Sequence, residues 1–451
     1  MYLHSVNPAT GERLFSYAVH SDGEVKAILA ASASFQHKWA KSSLTERSAG
    51  LRSLADVLEL KKNALAVQMA VEMGKPVGQG RAEVEKSAWC CRWYSDELKR
   101  LLAPRIIQTE AAYSAVHYES RGVWLAIMPW NYPVWQVMRC LVPCLAAGNS
   151  LVLKHASNVT GCALLLEEVV REALGDDALR VLKLSADRMA DVISDPVISG
   201  VSFTGSESAG RRVAAMAAAH IRPAILELGG SNAFIVMPDA DLEKAAKDAV
   251  TARFQNSGQS CIAAKRILLA SEIADSFMEL FRREVRSLTV GDPMLESTRL
   301  GPLARASFCE DLNDQVQRSI AGGAECDTGG EFTGAFFTPT ILTGATYRMP
   351  CMQEELFGPV ASVGVFTSWK EAVNWSNSTR FGLGVSVYTA DTEKATAQLP
   401  SFREGAVFIN SIVKSDPRLP FGGVGHSGFG RELSAEGLYS VMNAKTVSVS
   451  T

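Results

Sequence analysis

Val123-Trp-Leu-Ala-Ile-Met128 is an unbroken apolar run that stops at Pro129. Its length and content fit a buried strand, and the proline ends it because proline has no N–H to give to a sheet. The segments that follow repeat one order of strand, turn and helix. Residues 150–154 read as a strand before a helix through Leu164, residues 201–204 as a strand before a helix over 207–220, and residues 224–228 as a further strand. Such alternation predicts a parallel α/β sheet. A second region of the same texture runs from about Gly229 to Asn410, with helices near 242–252 and 273–288, so two α/β domains are expected. Upstream, from Ser21 to about Arg100, apolar residues recur at helical spacing, as in Leu51, Leu54, Ala55 and Leu58, which predicts a helical N-terminal layer. A short β-rich stretch at 113–118 stands between that layer and the first buried strand.

At 451 residues the chain exceeds the size at which one core usually stops growing, so two or three domains with a cleft between them are expected. Its 47% hydrophobic and 21% charged residues are those of an ordinary packed protein. A net charge of -3 gives no broad positive field, which sets nucleic acid aside as a partner. The start, MYLHSVNPATG, has no basic stretch followed by an apolar core, and no apolar run reaches membrane-spanning length, so a cytoplasmic protein without a membrane partner is expected. Nine cysteines, an odd number at irregular intervals, read as reduced thiols. With seven scattered histidines, no HExxH and no CxxC, no metal is assigned.

Several short stretches carry residues suited to chemistry. Phe254-Gln-Asn-Ser-Gly-Gln-Ser-Cys261 puts a cysteine after a polar, glycine-containing turn. A free thiol titrates near ~8.5, and a helix terminus or oriented amides lower that value, raising the thiolate that attacks a carbonyl. On its own, Cys261 reads more readily as a small buried apolar residue. Leu226-Glu-Leu-Gly-Gly230 sets Glu227 in an apolar run that stops at paired glycines. Burial there raises a carboxyl pKa toward neutrality and suits it to take a proton from water; the other reading is a salt-bridged strand end. Pro129-Trp-Asn-Tyr-Pro133 holds Asn131 on a rigid platform from which its amide, with the Cys261 N–H, could form an oxyanion hole, or else is a structural corner. Phe203-Thr-Gly-Ser206 precedes a helix whose free N–H groups suit a pyrophosphate. Gly205 and Gly210 have the spacing of a triphosphatase loop, but Arg211-Arg212 stand where lysine and a hydroxyl residue are required, so an ATPase is excluded. No GxGxxG follows an early strand, and a nucleotide site must therefore depart from the simple Rossmann fingerprint.

In this order, PWNYP at 129–133, FTGS at 203–206, ELGG at 227–230, GQSC at 258–261, ELFGPV at 355–360 and PFGG at 420–423 closely resemble the aldehyde dehydrogenase superfamily. The resemblance runs from Asn7-Pro-Ala-Thr-Gly11 to the last strand. It implies an α/β fold with a Rossmann-type NAD(P)-binding domain (1–106 and 121–227), an α/β catalytic domain (228–410), and a small β bridging element for oligomerisation (107–120 and 441–451). Residues 411–440 would return to the cofactor domain and line the active site, and the assembly would be a homodimer or homotetramer. By the same resemblance Cys261 attacks the aldehyde, Asn131 and the Cys261 amide hold the oxyanion, and Glu227 activates the water that releases the acid from a thioester. Trp130, Glu355 and Phe357 would border the nicotinamide end of the cofactor, Gly205 and Ser206 the pyrophosphate, and Lys154 the adenosine ribose.

Position 157, where NAD-preferring relatives often carry a glutamate, is Ser157. Serine removes the repulsion of a 2′-phosphate and can donate to it beside Lys154, so NADP is expected to be accepted and even preferred over NAD. Among subfamilies the chain is most similar to succinate-semialdehyde dehydrogenases, through LKHASNVTGC at 153–162 and KSDPRLPFGG at 414–423. That similarity implies a substrate carboxylate held by Arg139 and Ser415, although Arg139 can also be read as a structural ion-pair residue. Gln255 stands where many such enzymes carry a second arginine, which leaves glutarate semialdehyde and small aliphatic aldehydes open as substrates. A cysteine hydrolase or acyl transferase using Cys261 and Glu227 is the alternative class, since a thioester needs no nucleotide.

Overall fold

The unbroken apolar run of the first buried strand, β1 (Val123–Met128), has a physical cause in the computed structural model, which describes residues 1–450. Successive side chains of a strand point to opposite faces, and here both faces are covered. Trp124, Ala126 and Met128 enter one core, while Val123, Leu125 and Ile127 enter another. β1 lies inside a six-stranded sheet with β2 (Ser150–His155), β3 (Leu179–Val181), β4 (Ile198–Thr204) and β5 (Ala224–Glu227). The order is Gly428–Phe429, β5, β4, β1, β2, β3, parallel except for Gly428–Phe429, which pairs antiparallel with β5. A second, seven-stranded sheet contains β6 (Asn232–Val236) and β7 (Ala264–Ala270) at its centre. It repeats the alternation: Ala233 and Ile235 face one core, and Phe234 and Val236 the other.

The helical N-terminal layer consists of α1 (Asp22–Trp39), α2 (Leu44–Met73) and α3 (Val77–Leu101). Ser21 and Ser43 each begin a helix with a reciprocal capping box to a glutamate three residues on. The helix after β2, α5, is longer than expected: it runs over Thr160–Leu174 because Leu166, Val169 and Val170 extend its buried stripe. It stops at Gly175, whose φ of 82° is in the left-handed region.

Two buried glutamates lock this layer onto the first sheet. Glu72 accepts hydrogen bonds from the amides of Gly161 and Cys162 at the start of α5. Glu83 accepts from the amides of Val134 (2.8 Å) and Trp135 (2.9 Å) at the start of α4 (Trp135–Ala147), and pairs with the buried Lys75. Each carboxylate thus satisfies N–H groups that a helix start leaves open, at the positive end of the dipole.

A third sheet stands apart. Met442–Val449 pairs antiparallel with Tyr113–Ser120 along the whole of both strands, and Arg105–Ile106 adds an edge just before the 107–120 stretch expected from the sequence. Thr451, the last residue of the expected 441–451 stretch, lies outside the described residues. Among the described residues no helix is long and apolar enough to cross a membrane, no group of three or more acidic, histidine or cysteine side chains is placed to hold a metal, and all nine cysteines are free.

Candidate active site

The carboxyl ends of β1, β2, β4 and β5 lead into PWNYP, Lys154, the FTGS turn and Glu227, so the sequence motifs gather at one edge of the first sheet. Ligands of open parallel sheets bind at this edge. Two cavities meet there. One, of about 280 Å³, is bordered by Trp130, Asn131, Gly205, Ser206, Glu355 and Phe357. The other, of about 200 Å³, is bordered by Lys86, Trp135, Arg139, Gln255 and Ser415. Cys261 borders both. Three expected residues border neither: Glu227, Lys154 and Ser157.

The loop that presents Cys261 is held in an unfavourable conformation. Asn256 and Ser257 both have φ of 54°, and Gly258 follows at 72°. A non-glycine residue in this region costs roughly 1–3 kcal/mol and persists only where its surroundings over-determine it. The fully buried Arg253 donates to the carbonyls of Val360 (2.6 Å), Leu356 (2.9 Å) and Gly358. Asn256 Nδ2 donates to Asn131 O (2.7 Å) and Ser257 Oγ to Gly301 O (2.8 Å). A side chain on Gly258 would collide with the Gly358 carbonyl.

Asn131 is buried and its orientation is set from both ends. Its Oδ1 accepts from Gln136 Nε2 (3.0 Å), which turns the NH₂ toward the Cys261 loop, where one N–H donates to Gln259 O (3.0 Å). The other N–H and the backbone N–H of Cys261 have no acceptor among the described residues. Both are free to receive an oxyanion.

Burial pushes the Cys261 thiol up to about 11, while Arg139 and Lys265 pull it down and Glu355 and Glu227 push it further up. This corrects the expected lowering: no helix begins at Cys261, and the two cations nearby do not offset desolvation. Glu227 is fully buried at the end of β5, with neither carboxylate oxygen hydrogen-bonded. Burial, then the neighbouring Glu432, raises its pKa well above the usual range. Arg139 pairs with Glu432 at 2.9 Å, lies 4.6 Å from the Phe421 ring, and keeps a buried Nη2 without a partner. It is therefore an ion-pair residue that also faces the smaller cavity. Ser415 Oγ accepts from Lys86 Nζ (2.8 Å) and Trp135 Nε1 (3.0 Å), which leaves its own proton to donate. Gln255 is exposed at the rim.

The residues around the larger cavity suit the phosphate and ring at one end of a dinucleotide. Ser206 caps the helix Glu207–Ala219, whose amino end opens onto it, and Thr204 Oγ1 is buried there without a partner. Trp130 stacks on Phe308 (5.2 Å) and meets Phe357 edge-on (5.7 Å). Lys154, half-buried at the end of β2, has no ion-pair partner among the described residues, and Ser157 opens the single 3₁₀ turn that follows. The run Gly423-Val-Gly-His-Ser-Gly428 has the G-x-G-x-x-G spacing, yet it leads into the short antiparallel strand Gly428–Phe429 and opens no α-helix, so it is not a pyrophosphate turn.

Three contributors escape a reading by motif. Gln136 fixes Asn131 from the first turn of α4. Lys265, fully buried, donates to the carbonyls of Ser260 (2.8 Å) and Cys261 (3.0 Å) and to Glu355 Oε1 (3.0 Å), tying the cysteine loop to Glu355. Its signal in the sequence is a Lys-Arg pair inside an otherwise apolar strand, Ala264–Ala270. Lys86 reaches the smaller cavity from α3, far away in sequence.

Residues 1–447 match the model of the aldehyde dehydrogenase family. The chain belongs to that family. It is 42% identical over 451 residues to a probable NADP(+) succinate-semialdehyde dehydrogenase of Synechocystis sp., covering 99% of both chains. It is 40% identical to Sad, a succinate semialdehyde dehydrogenase of Escherichia coli named as using NAD(P)+, covering 98% of this chain and 97% of that one. Among solved structures it is similar to the succinic semialdehyde dehydrogenase of Streptococcus pyogenes in complex with NADP+, with a TM-score of 0.97, 35% identity and full coverage of both chains. An aldehyde dehydrogenase must bring an aldehyde and a nicotinamide to one thiol, and two cavities meeting at Cys261 offer that arrangement.

Proposed function

We propose that the chain oxidises succinate semialdehyde to succinate in the cytoplasm, with NADP+ preferred over NAD+ as hydride acceptor. The observation that carries this reading is the position of Cys261 as the one thiol common to both cavities, with a cleft at the amino end of a helix on one side and a cationic pocket on the other. The 42% and 40% identical relatives named for this substrate support it. Trp130, Gly205, Ser206, Glu355 and Phe357 would hold the nicotinamide and phosphate end of the cofactor, and Lys154 with Ser157 the adenosine ribose and its 2′-phosphate. When bound, the nicotinamide supplies the acceptor for the hydride lost by the substrate.

The chain's own residues do the rest. The Cys261 thiol loses its proton to solvent, the resulting thiolate adds to the aldehyde carbon, and the carbonyl oxygen becomes an oxyanion that accepts from Asn131 Nδ2 and the Cys261 N–H. Loss of hydride from that adduct leaves a thioester on Cys261. Glu227, with its pKa raised by burial, is suited to take a proton from water, which attacks the thioester and releases the acid and the thiol. Because Glu227 borders neither cavity, its side chain must swing out from beside Gly422 to do so.

In this reading 1–106, 121–227 and 411–440 bind the nucleotide, 228–410 carry the nucleophile, and 107–120 with 441–451 join subunits of a homodimer or homotetramer. The exposed strand Met442–Val449 supports the last assignment. The test is a steady-state panel of succinate semialdehyde, glutarate semialdehyde and butanal against NADP+ and NAD+. The expected optimum in kcat/KM is succinate semialdehyde with NADP+. Equal or better use of butanal would overturn the substrate, and negligible use of NADP+ the cofactor preference; no nicotinamide reduction with any of the aldehydes, together with acid release from an ester or thioester, would instead mark a hydrolase.

A further inference from the structure

The pocket behind Cys261 contains a cation that neither the motifs nor the expected second arginine supply. Gln79, Ala82, Glu83 and Lys86 border it from one face of α3, at the i, i+3, i+4, i+7 spacing of a helical stripe. Lys86 Nζ donates to Ser415 Oγ at 2.8 Å and lies 4.6 Å over the Trp135 ring. The acids nearby are already engaged. Glu83 is taken up by Lys75 and by the amides of Val134 and Trp135, and Asp416 by Arg418. Lys86 therefore has no ion-pair partner among the described residues, and Arg139, which borders the same pocket and pairs with Glu432, keeps a buried Nη2 without a hydrogen-bond partner. A desolvated cation without a counter-ion is unfavourable, and an anionic ligand relieves it.

We propose that Lys86 is a substrate-binding and specificity-determining residue which, with Arg139 and Ser415, receives the carboxylate of an acidic aldehyde. The assignment rests on the reading above, in which the aldehyde end of the substrate lies at Cys261. Lys86 supplies the second positive charge that Gln255, an uncharged side chain at the rim, does not. The three donors differ in form: an ammonium with N–H groups left after Ser415, a guanidinium fork, and a hydroxyl whose proton is free because its oxygen already accepts twice. Together they favour a carboxylate over a hydroxyl or methyl terminus.

The same pocket gives the preference a pH limit. Burial, then Arg139, holds Lys86 down to about 8, against Cys90, Asp416 and Glu83, which favour its charged form; Lys414 also borders the pocket. Only the protonated ammonium binds a carboxylate, so binding of the acidic aldehyde weakens as pH rises past that value.

The experiment compares the full-length wild type with Lys86→Gln and Lys86→Arg on succinate semialdehyde and butanal at saturating NADP+. In Lys86→Gln the ratio of kcat/KM for succinate semialdehyde over butanal is expected to fall about 10- to 100-fold, the range for a hydrogen bond to a charged group, with the loss in KM. Lys86→Arg should keep most of the ratio. In the wild type, KM for succinate semialdehyde should climb between about pH 7.5 and 9.5 while KM for butanal does not follow. A ratio in Lys86→Gln within about twofold of wild type overturns the assignment, as does a flat pH profile should that variant not fold. If the wild type itself shows no preference for succinate semialdehyde, the proposed substrate falls along with it.

Discussion

At Cys261 the local sequence and the folded surroundings point in opposite directions. A polar, glycine-containing turn suggests an accessible thiol with a lowered pKa, but three successive left-handed residues tuck it between two cavities, and burial holds it up to about 11. The nucleophile is the thiolate, so in the ligand-free chain its reactivity should rise with pH by about tenfold per unit, where an ordinary cysteine levels off above about 8.5. Iodoacetamide labelling followed peptide by peptide tests this, since Cys326, the exposed cysteine, would label in parallel. The expected log rate at Cys261 climbs steadily from about pH 7 to 10. A plateau below about pH 8 would mean that the cations Arg139 and Lys265 outweigh burial.

At the scale of elements, what is local in sequence was legible and what depends on distant packing was not. β1 could be read at both ends because an apolar run met a proline, and its doubly buried faces explain the run. The helix after β2 runs ten residues beyond the expected Leu164, and its buried stripe of Leu166, Val169 and Val170 belongs to a helix that packs beside α2. The motif residues around Cys261, Asn131 and Glu355 were recognisable as a set, whereas Lys86 and Gln136 owe their places to α3 and α4. Those two helices are fixed to one another by Glu83, which joins Lys75 to the amino end of α4. Glu83→Ala would leave the buried Lys75 unpaired and two amides unsatisfied, a loss of roughly 3–5 kcal/mol. Thermal inactivation should therefore move to clearly lower temperature in that variant, and an unchanged midpoint would show that the layer is held by its apolar contacts alone.

At the scale of the whole molecule, two helix-covered sheets and a long-range helical layer converge on one thiol. The first sheet contributes Asn131, Gly205 and Ser206 from its carboxyl edge, the second region contributes Cys261 and Glu355, and the helical layer contributes Lys86. No single segment builds the site, which is why the motifs became informative only as an ordered set. In the proposed reaction this convergence produces an acyl intermediate on Cys261, released by water that Glu227 deprotonates. Mixing Glu227→Gln with succinate semialdehyde and NADP+, followed by intact mass measurement and peptide mapping, tests this step. The predicted result is nicotinamide reduction with one succinyl group retained on the Cys261 peptide; no retained acyl group, or one on any of the other eight cysteines, would contradict it.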